Sequence, residues 1–248
     1  MTISIITATY NAVSTIEAAI KSVINQTYPH IEYIIIDGGS TDGTLDSIKR
    51  FKPFIRHLVS EPDNGIYDAL NKGINLATGD VIGFLHADDI FDNDTTIDTV
   101  MEMMSDEKIT GVYGDLEYVH HQNTDKVIRY WESKPFKYNL LKTGWMPPHP
   151  TLFIRKKAYD TIGNFNTKYK IAADYDFILR CFTNPHYTFK YLPMVITRMR
   201  VGGASNRSIK NILLKSKEDL QALKQNKIGG VLTLIWKNIS KLPQFIKR

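Results

Sequence analysis

A chain of 248 residues with 43% hydrophobic content supports one large α/β domain with a genuine core and excludes wholesale disorder. Net charge +5, with pI about 9.0, favours anionic partners such as nucleotide phosphates or an acidic membrane surface. The single Cys181 excludes an internal disulfide framework and a cysteine-based zinc site.

Ile3–Thr9 is a β-rich apolar run that ends in Tyr10-Asn11. Ser14-Thr15-Ile16-Glu17 reads as a capping box, with Ser14 as cap and Glu17 reaching back. The helix it opens sets Ile16, Ala19, Ile20 and Val23 on one face. Residues 31–36 form a second strand that ends in Asp37-Gly38-Gly39-Ser40, where the glycines allow tight turning and close backbone approach to a ligand. Asp37 is either a site acid or a turn former. A third strand over 55–59 is followed by the turn Glu61-Pro62-Asp63-Asn64-Gly65, and then by a helix over 66–77.

Residues 81–85 are nearly unbroken apolar sequence, the mark of a strand buried on both faces. It runs out into Asp88 and Asp89, whose like charges repel unless a cation sits between them. A hard divalent ion suits them, because Mg²⁺ or Mn²⁺ prefers carboxylate oxygens and leaves room for phosphate. The alternative is two loop acids before the next helix, which Asp94 caps near Thr95. Strands joined by helices of this length predict right-handed crossovers and a mostly parallel sheet. Asp37, Asp88 and Asp89 then share its carboxyl edge, where open α/β sheets bind ligands.

Four motifs in register carry a resemblance: Ala-Thr-Tyr-Asn at 8–11, Ile-Asp-Gly-Gly-Ser-Thr-Asp-Gly-Thr at 36–44, Glu-Pro-Asp-Asn-Gly-Ile-Tyr-Asp-Ala-Leu-Asn-Lys-Gly-Ile at 61–74 and Gly-Asp-Val-Ile-Gly-Phe-Leu-His-Ala-Asp-Asp at 79–89. Their order and spacing are similar to family 2 glycosyltransferases, especially the branch that includes colanic-acid and exopolysaccharide enzymes. The likeness is close through Asp89 and resumes in patches to Arg180. It implies a GT-A fold: an α/β, Rossmann-like sheet flanked by helices, a small acceptor-side subdomain and C-terminal amphipathic helices. It also implies a nucleoside-diphosphate sugar donor, UDP foremost, and Mn²⁺ or Mg²⁺ as cofactor. Carried onto this sequence, Thr7, Ala8, Tyr10 and Asp37 hold the nucleoside, Asp37 by accepting from the base. Asp88 lies by the ribose or metal, and Asp89 ligates the metal.

Two departures stand out. His86 occupies a position where many relatives carry an acid, so the acidic motif is Ala87-Asp88-Asp89 alone. It is either a metal ligand or a packed, loop-bonded imidazole. Leu70 stands where many relatives carry Arg, which leaves the diphosphate charge to Lys72 or a later arginine.

In the second half, 112–119 and 127–131 read as antiparallel strands. His120 and His121 between them point to opposite faces and do not ligate one metal jointly. Trp145-Met146-Pro147-Pro148-His149-Pro150 resembles the family's loop beside the acceptor, followed by a short strand over 151–154. His149 is a substrate contact or simply part of that loop. Residues 171–180 resemble the family's acidic helix start, with Ala173 in place of the usual Glu. Asp174 aligns with the acid that relatives use as catalytic base; the alternative is an acid favoured by the helix dipole. Asp176 reads as a first-turn acid and Cys181 as packed. After a strand over 188–196, the basic, glycine-hinged segment 198–207 is a closing loop over the diphosphate or a solvated one.

Ile209, Ile212, Leu213, Leu220 and Leu223 mark an amphipathic helix. Treated as a helix, 228–247 aligns Ile228, Val231, Leu232, Ile235, Ile239, Leu242 and Ile246, with Lys237, Ser240, Lys241, Gln244 and Lys247 opposite and Trp236 at the border. That is the pattern of a helix lying in a membrane interface, or of a terminal helix covering its own core. Pro243 ends or kinks it near Leu242.

The expected organisation is a catalytic domain over 1–207, divided into a nucleotide-sugar half (1–110) and an acceptor half (111–207), with a helical tail over 208–248. The expected activity is inverting, metal-dependent transfer of a hexosyl or N-acetylhexosaminyl group to a hydroxyl of a glycan or lipid-linked acceptor. The start in a strand with no basic-then-apolar leader, and no apolar run of ~20 residues, point to a cytoplasmic protein, peripheral on the membrane at most. A nucleotidyltransferase needs a glycine-rich basic phosphate loop, and 7–14 has neither. A non-catalytic binding module need not keep both Asp89 and Asp174. Nucleic acid is not an expected partner, since no basic recognition helix is present in the first two-thirds. Sequence leaves the oligomeric state open.

Overall fold

A computed structural model describes residues 1–202 and 209–240. Strand β1 (Ile3–Thr9) is buried along its whole length and lies parallel between β2 (Ile31–Asp37) and the later β4 (Val81–Phe84). Burial on both faces explains why these runs are apolar without alternation. Helix α1 (Ile16–Ile24) connects β1 to β2, α2 (Thr44–Lys49) leads to the edge strand β3 (His57–Ser60), and α3 (Ile66–Leu76) leads to β4. Ile6, Ala8, Ile34 and Ile36 face a core shared with Leu70 and Ile74 of α3. Ile3, Ile5 and Ile35 face the opposite core, shared with Ile16, Ile20 and Val23 of α1. Gly73 lets α3 press onto β1, because a Cβ there would collide with the Ile6 side chain.

Beyond β4 the chain forms β5 (Asp89–Phe91), α4 (Thr96–Met104), β6 (Gly111–Val119), β7 (Val127–Trp131), β8 (Phe153–Arg155), α5 (Lys156–Ile162), α6 (Ala173–Phe182), β9 (Phe189–Arg200), α7 (Ile209–Gln225) and α8 (Val231–Ile239). One sheet runs β3-β2-β1-β4-β8-β6-β9-β5, with β7 paired to β6. Its first part is parallel throughout; β8, β7 and β5 pair antiparallel with their neighbours, and β6 with β9 is parallel. This is the expected α/β sheet flanked by helices.

Several local expectations are corrected. The capping box at Ser14 does not form: α1 starts at Ile16 with no side-chain cap. The preceding loop is held elsewhere, its N–H groups at Asn11, Ala12 and Val13 donating to Ser40, Thr44 and Asp42. Glu17 turns outward to Lys21 and Arg50. Asp94 does not cap α4 either; Asn93 accepts from the N–H and hydroxyl of Thr95, while Asp94 gives its carbonyl to Thr27. Asp176 is a first-turn acid of α6 as expected, and is in addition buried, paired with Arg180 at 2.9 Å and bonded by Asn226 at 3.0 Å. Ile212 and Leu213 of α7 are exposed, whereas Ala222, Leu223 and Ile228 join the main core. The segment 203–207 of the expected closing loop, and 241–248 of the expected tail helix, lie outside the described residues.

Candidate active site

The parallel register places Thr9 of β1 beside Asp37 of β2, and Asp37 beside Ser60 of β3. Asp37 is fully buried, accepting from Ser40 N–H and hydroxyl and from the Ser60 hydroxyl at 2.7 Å. It therefore braces the turn after β2. The turn is cross-linked to the loop after β1 by Asn11, whose side chain accepts from Thr41 N–H at 2.9 Å. Tyr10 stands out of this cradle, 64% exposed, against Gly38. Gly38 leaves room for the Asp63 carboxylate, one oxygen of which would lie 2.5 Å from a Cβ there. Thr7 is turned inward, its hydroxyl 3.1 Å from that of Tyr33, and Ala8 is buried; both shape the cradle from beneath. Asp63, which reads in sequence as a mere turn residue, is a cradle acid. Only the Gly38 beside it could have hinted at this.

Asp88 and Asp89 do not simply end β4. Asp89 begins β5 and pairs in register with Met199 of β9, which carries the acid pair to the junction of the two sheet regions. The Asp89 side chain is fully buried; Oδ1 accepts from the Arg200 N–H at 3.2 Å, and Oδ2 has no partner. Burial first, then the charge of Asp88, push its carboxyl well above the usual carboxylate range. Arg200 is itself buried, donating to the carbonyls of Asp88 at 2.7 Å and His121 at 3.0 Å. Arg198 is engaged by Asp92 at 2.7 Å and Glu117 at 3.4 Å, and Lys72 by Glu61 at 2.8 Å, which leaves Arg200, among the described residues, as the cation bonded to the acid pair. Among the described residues no three His, Cys, Asp or Glu side chains converge as a metal cage. Two hard carboxylates, one with an orphaned buried oxygen, fit a divalent ion whose remaining ligands are phosphate and water.

Helix α3 ties this edge to the segment 165–174. Its Leu70 points into the core, so a cation at that position would be buried rather than delivered to a phosphate. Its Asn71 exchanges two hydrogen bonds with the Phe165 backbone, and its Tyr67 hydroxyl lies 2.6 Å from the Ile171 carbonyl and 3.1 Å from Asp174 Oδ1. Asp174 sits in the first turn of α6, half-buried. Just ahead of it, the N–H groups of 170–172 all donate to the buried carboxylate of Glu218 on α7. His86 and His149, with ring centres 6.1 Å apart, fill the space between the acids. Burial pulls His149 down to about 4 and lowers His86, against the opposing charge of Asp174 on both and of Asp88 on His86. Both rings are neutral at neutral pH, and His86 Nδ1 and His149 Nε2 have no partner. Asp88, Asp89 and Asp174 thus share one region, bridged by two neutral imidazoles, with Tyr10 and Asp37 further along the same sheet edge. Sequence reasoning did not find Tyr67 or Glu218; neither lies in a pattern separable from ordinary helix composition.

The profile of glycosyl transferase family 2 matches residues 4–163. A PGL/p-HBAD biosynthesis glycosyltransferase of Mycobacterium bovis is 33% identical over 224 residues, covering 86% of this chain and 82% of the relative. The chondroitin synthase of Pasteurella multocida is 29% identical over 227 residues, covering 90% of this chain but 23% of that much longer protein. Among solved structures, S. aureus TarS 1–349 in complex with UDP-GlcNAc superposes with TM-score 0.70 at 17% identity, covering 99% of this chain and 79% of that one. A mannosyltransferase from Pyrobaculum calidifontis in complex with GDP-Man and Mn²⁺ gives 0.69 at 19%, covering 98% and 70%.

Proposed function

Because the chain belongs to glycosyl transferase family 2 and is a glycosyltransferase of GT-A fold, we infer that it moves a sugar from a nucleoside-diphosphate donor, UDP foremost, to a hydroxyl of a glycan or lipid-linked acceptor with inversion. The observation that carries this reading is the convergence of an acid pair holding one orphaned buried oxygen with a separate, hydrogen-bonded acid at a helix start. In this reading Tyr10 packs on the base, Asp37 and Asp63 shape its cradle, and Asp88 and Asp89 hold Mn²⁺ or Mg²⁺. The ion, when bound, neutralises charge on the departing diphosphate, and Arg200 lies beside it to share that load. Asp174, oriented by Tyr67, takes the proton from the attacking acceptor hydroxyl. With base and leaving group at opposite ends of one displacement, no protein nucleophile is required. His86 and His149, neutral, line the wall between donor and acceptor, each offering a nitrogen to a sugar hydroxyl.

The likeness to relatives named for PGL/p-HBAD biosynthesis and chondroitin synthesis supports a cell-surface glycan as product. The organisation we adopt is a catalytic domain over 1–207 and a helical segment over 208–248 whose first helix is built into the catalytic core. The test is a screen of nucleotide sugars for hydrolysis and transfer, with Mn²⁺ and with chelator. Turnover of one donor, dependent on the ion and lost in Asp174→Asn, supports the reading; ion-independent turnover of no sugar nucleotide, with nucleotide transfer instead, overturns it.

A further inference from the structure

Helix α8 is docked with its polar side inward. Thr233 and Lys237 are buried, Lys237 at 2% exposure, while Val231, Leu232, Ile235, Trp236 and Ile239 are exposed, Leu232 at 78%. At a helical repeat of 3.6 residues these five side chains form one contiguous arc. The inversion has a specific cause. Lys237 Nζ lies 2.8 Å from Asp219 of α7 and 3.1 Å from the centre of the Tyr175 ring, a buried ion pair capped by an aromatic face. Gly144 gives the close approach: a Cβ there would collide with Lys237, and φ of +72° suits glycine in any case. The apolar stripe legible in the sequence is thus not the helix's inner face. Among the described residues of that stripe Ile228 alone is buried, where it closes the core ahead of the helix.

The charge around this face has one sign. Between Ile209 and Ser240 the sequence contains two acids, Glu218 and Asp219, and both are buried and bound internally. Lys210, Lys217 and Lys224 are exposed on α7, and Lys227 in the turn between it and α8. Tyr138, Lys137 and Lys142 are exposed on the 3-10 turn (Tyr138–Thr143), which packs against α8. Lys241, Lys247 and Arg248 follow in the sequence. No helix among the described residues is long and apolar enough to cross a membrane.

We propose that α8 and its lysine-rich surround seat this protein on the surface of an anionic lipid bilayer, with Leu232, Ile235, Trp236 and Ile239 entering the headgroup boundary and the lysines meeting lipid phosphates. An aliphatic arc with a tryptophan at its edge and a basic rim is the composition such an interface selects. A second copy of the chain is a poorer occupant, since a two-fold contact through this face brings like-charged lysine rims together. The proposal stands apart from the donor chemistry and does not require it.

The test uses the full chain and vesicles of phosphatidylcholine with phosphatidylglycerol, against phosphatidylcholine alone. Expected are co-sedimentation with the anionic vesicles that weakens with salt, and a blue shift of tryptophan emission that Trp236→Phe removes. The double variant Leu232→Glu, Trp236→Glu changes only exposed positions and keeps the parent's thermal melting midpoint, yet its vesicle partition falls about tenfold or more. Absence of binding by the parent to anionic vesicles overturns the proposal, as does undiminished binding by the double variant. A concentration-dependent dimer lost in the double variant, with no vesicle binding, overturns it in favour of a second copy.

Discussion

The Tyr67 hydroxyl of α3 lies 3.1 Å from Asp174 of α6, joining two helices across 107 residues of sequence. Tyr67 is half-buried, and desolvation followed by the Asp174 charge raises its phenol well above the ordinary range, so it remains a donor at any working pH. A half-buried carboxylate that receives one oriented hydrogen bond keeps a free oxygen in a fixed direction, which is what a base for a hydroxyl proton requires.

Asp174→Asn keeps this shape and cannot accept a proton. Turnover is expected to fall about 10²–10⁴-fold, the usual range for loss of a general base. Donor affinity stays near the parent's, because the role belongs to the transition state. Steady-state transfer assays paired with calorimetry of donor binding check both halves.

Asp89→Asn removes the charge of the orphaned carboxylate without altering its bulk. Binding of UDP that depends on Mn²⁺ is expected to disappear, leaving the affinity seen with chelator, and Asp88→Asn is expected to weaken it less. Equal affinity of parent and Asp89→Asn in the presence of the ion would sink the assignment.

His149 gives a pH dependence of stability. The folded state holds it neutral down to about pH 4, whereas the unfolded chain protonates it near its ordinary 6.5. Between those values the unfolded state binds more protons, so stability falls as pH falls through that window. The full effect of this one group is about 3 kcal/mol. His149→Phe, which fits among Phe84 and Phe165, is expected to flatten the melting midpoint over pH 6.5 to 4 relative to the parent.

Lys237→Ala strands Asp219 in the interior. The expected destabilisation is about 3–5 kcal/mol, the range for removing one member of a buried pair. The double variant Lys237→Met, Asp219→Leu is expected to recover most of it, since no buried charge remains. Urea denaturation monitored by circular dichroism reads both.

The apolar runs at 3–9, 31–36 and 81–85, and the helix periodicity between them, were enough to give the parallel part of the sheet and the edge where the acids lie. Asp88, Asp89 and Asp174 stand in short motifs whose chemistry is local, and so they were visible. What sequence could not carry is pairing between distant segments. Nothing near Asp89 announces that it starts a strand against Met199, nor does anything near Glu218 announce that it grips 170–172. The caps at Ser14 and Asp94 failed for the same reason, each neighbourhood being committed to a remote partner. The stripe of α8 left two readings open. Periodicity identifies two faces of a helix, but a single buried Asp219 decides which one turns inward.

Glu218 is one of four points along the end of α7 that are held from outside: Asp219 is gripped by Lys237 at 2.8 Å, Gln225 receives the Tyr169 hydroxyl at 2.9 Å, and Asn226 donates to Asp176 at 3.0 Å. A residue inserted between Asp219 and Gln225 would swing the later two by about 100° away from their partners while Glu218 stayed in place. Chain ends ordinarily accept changes of length with little consequence. Here the length of a near-terminal helix is fixed to the residue, and gains or losses among descendants of this sequence are confined to positions before Glu218 or after Asn226.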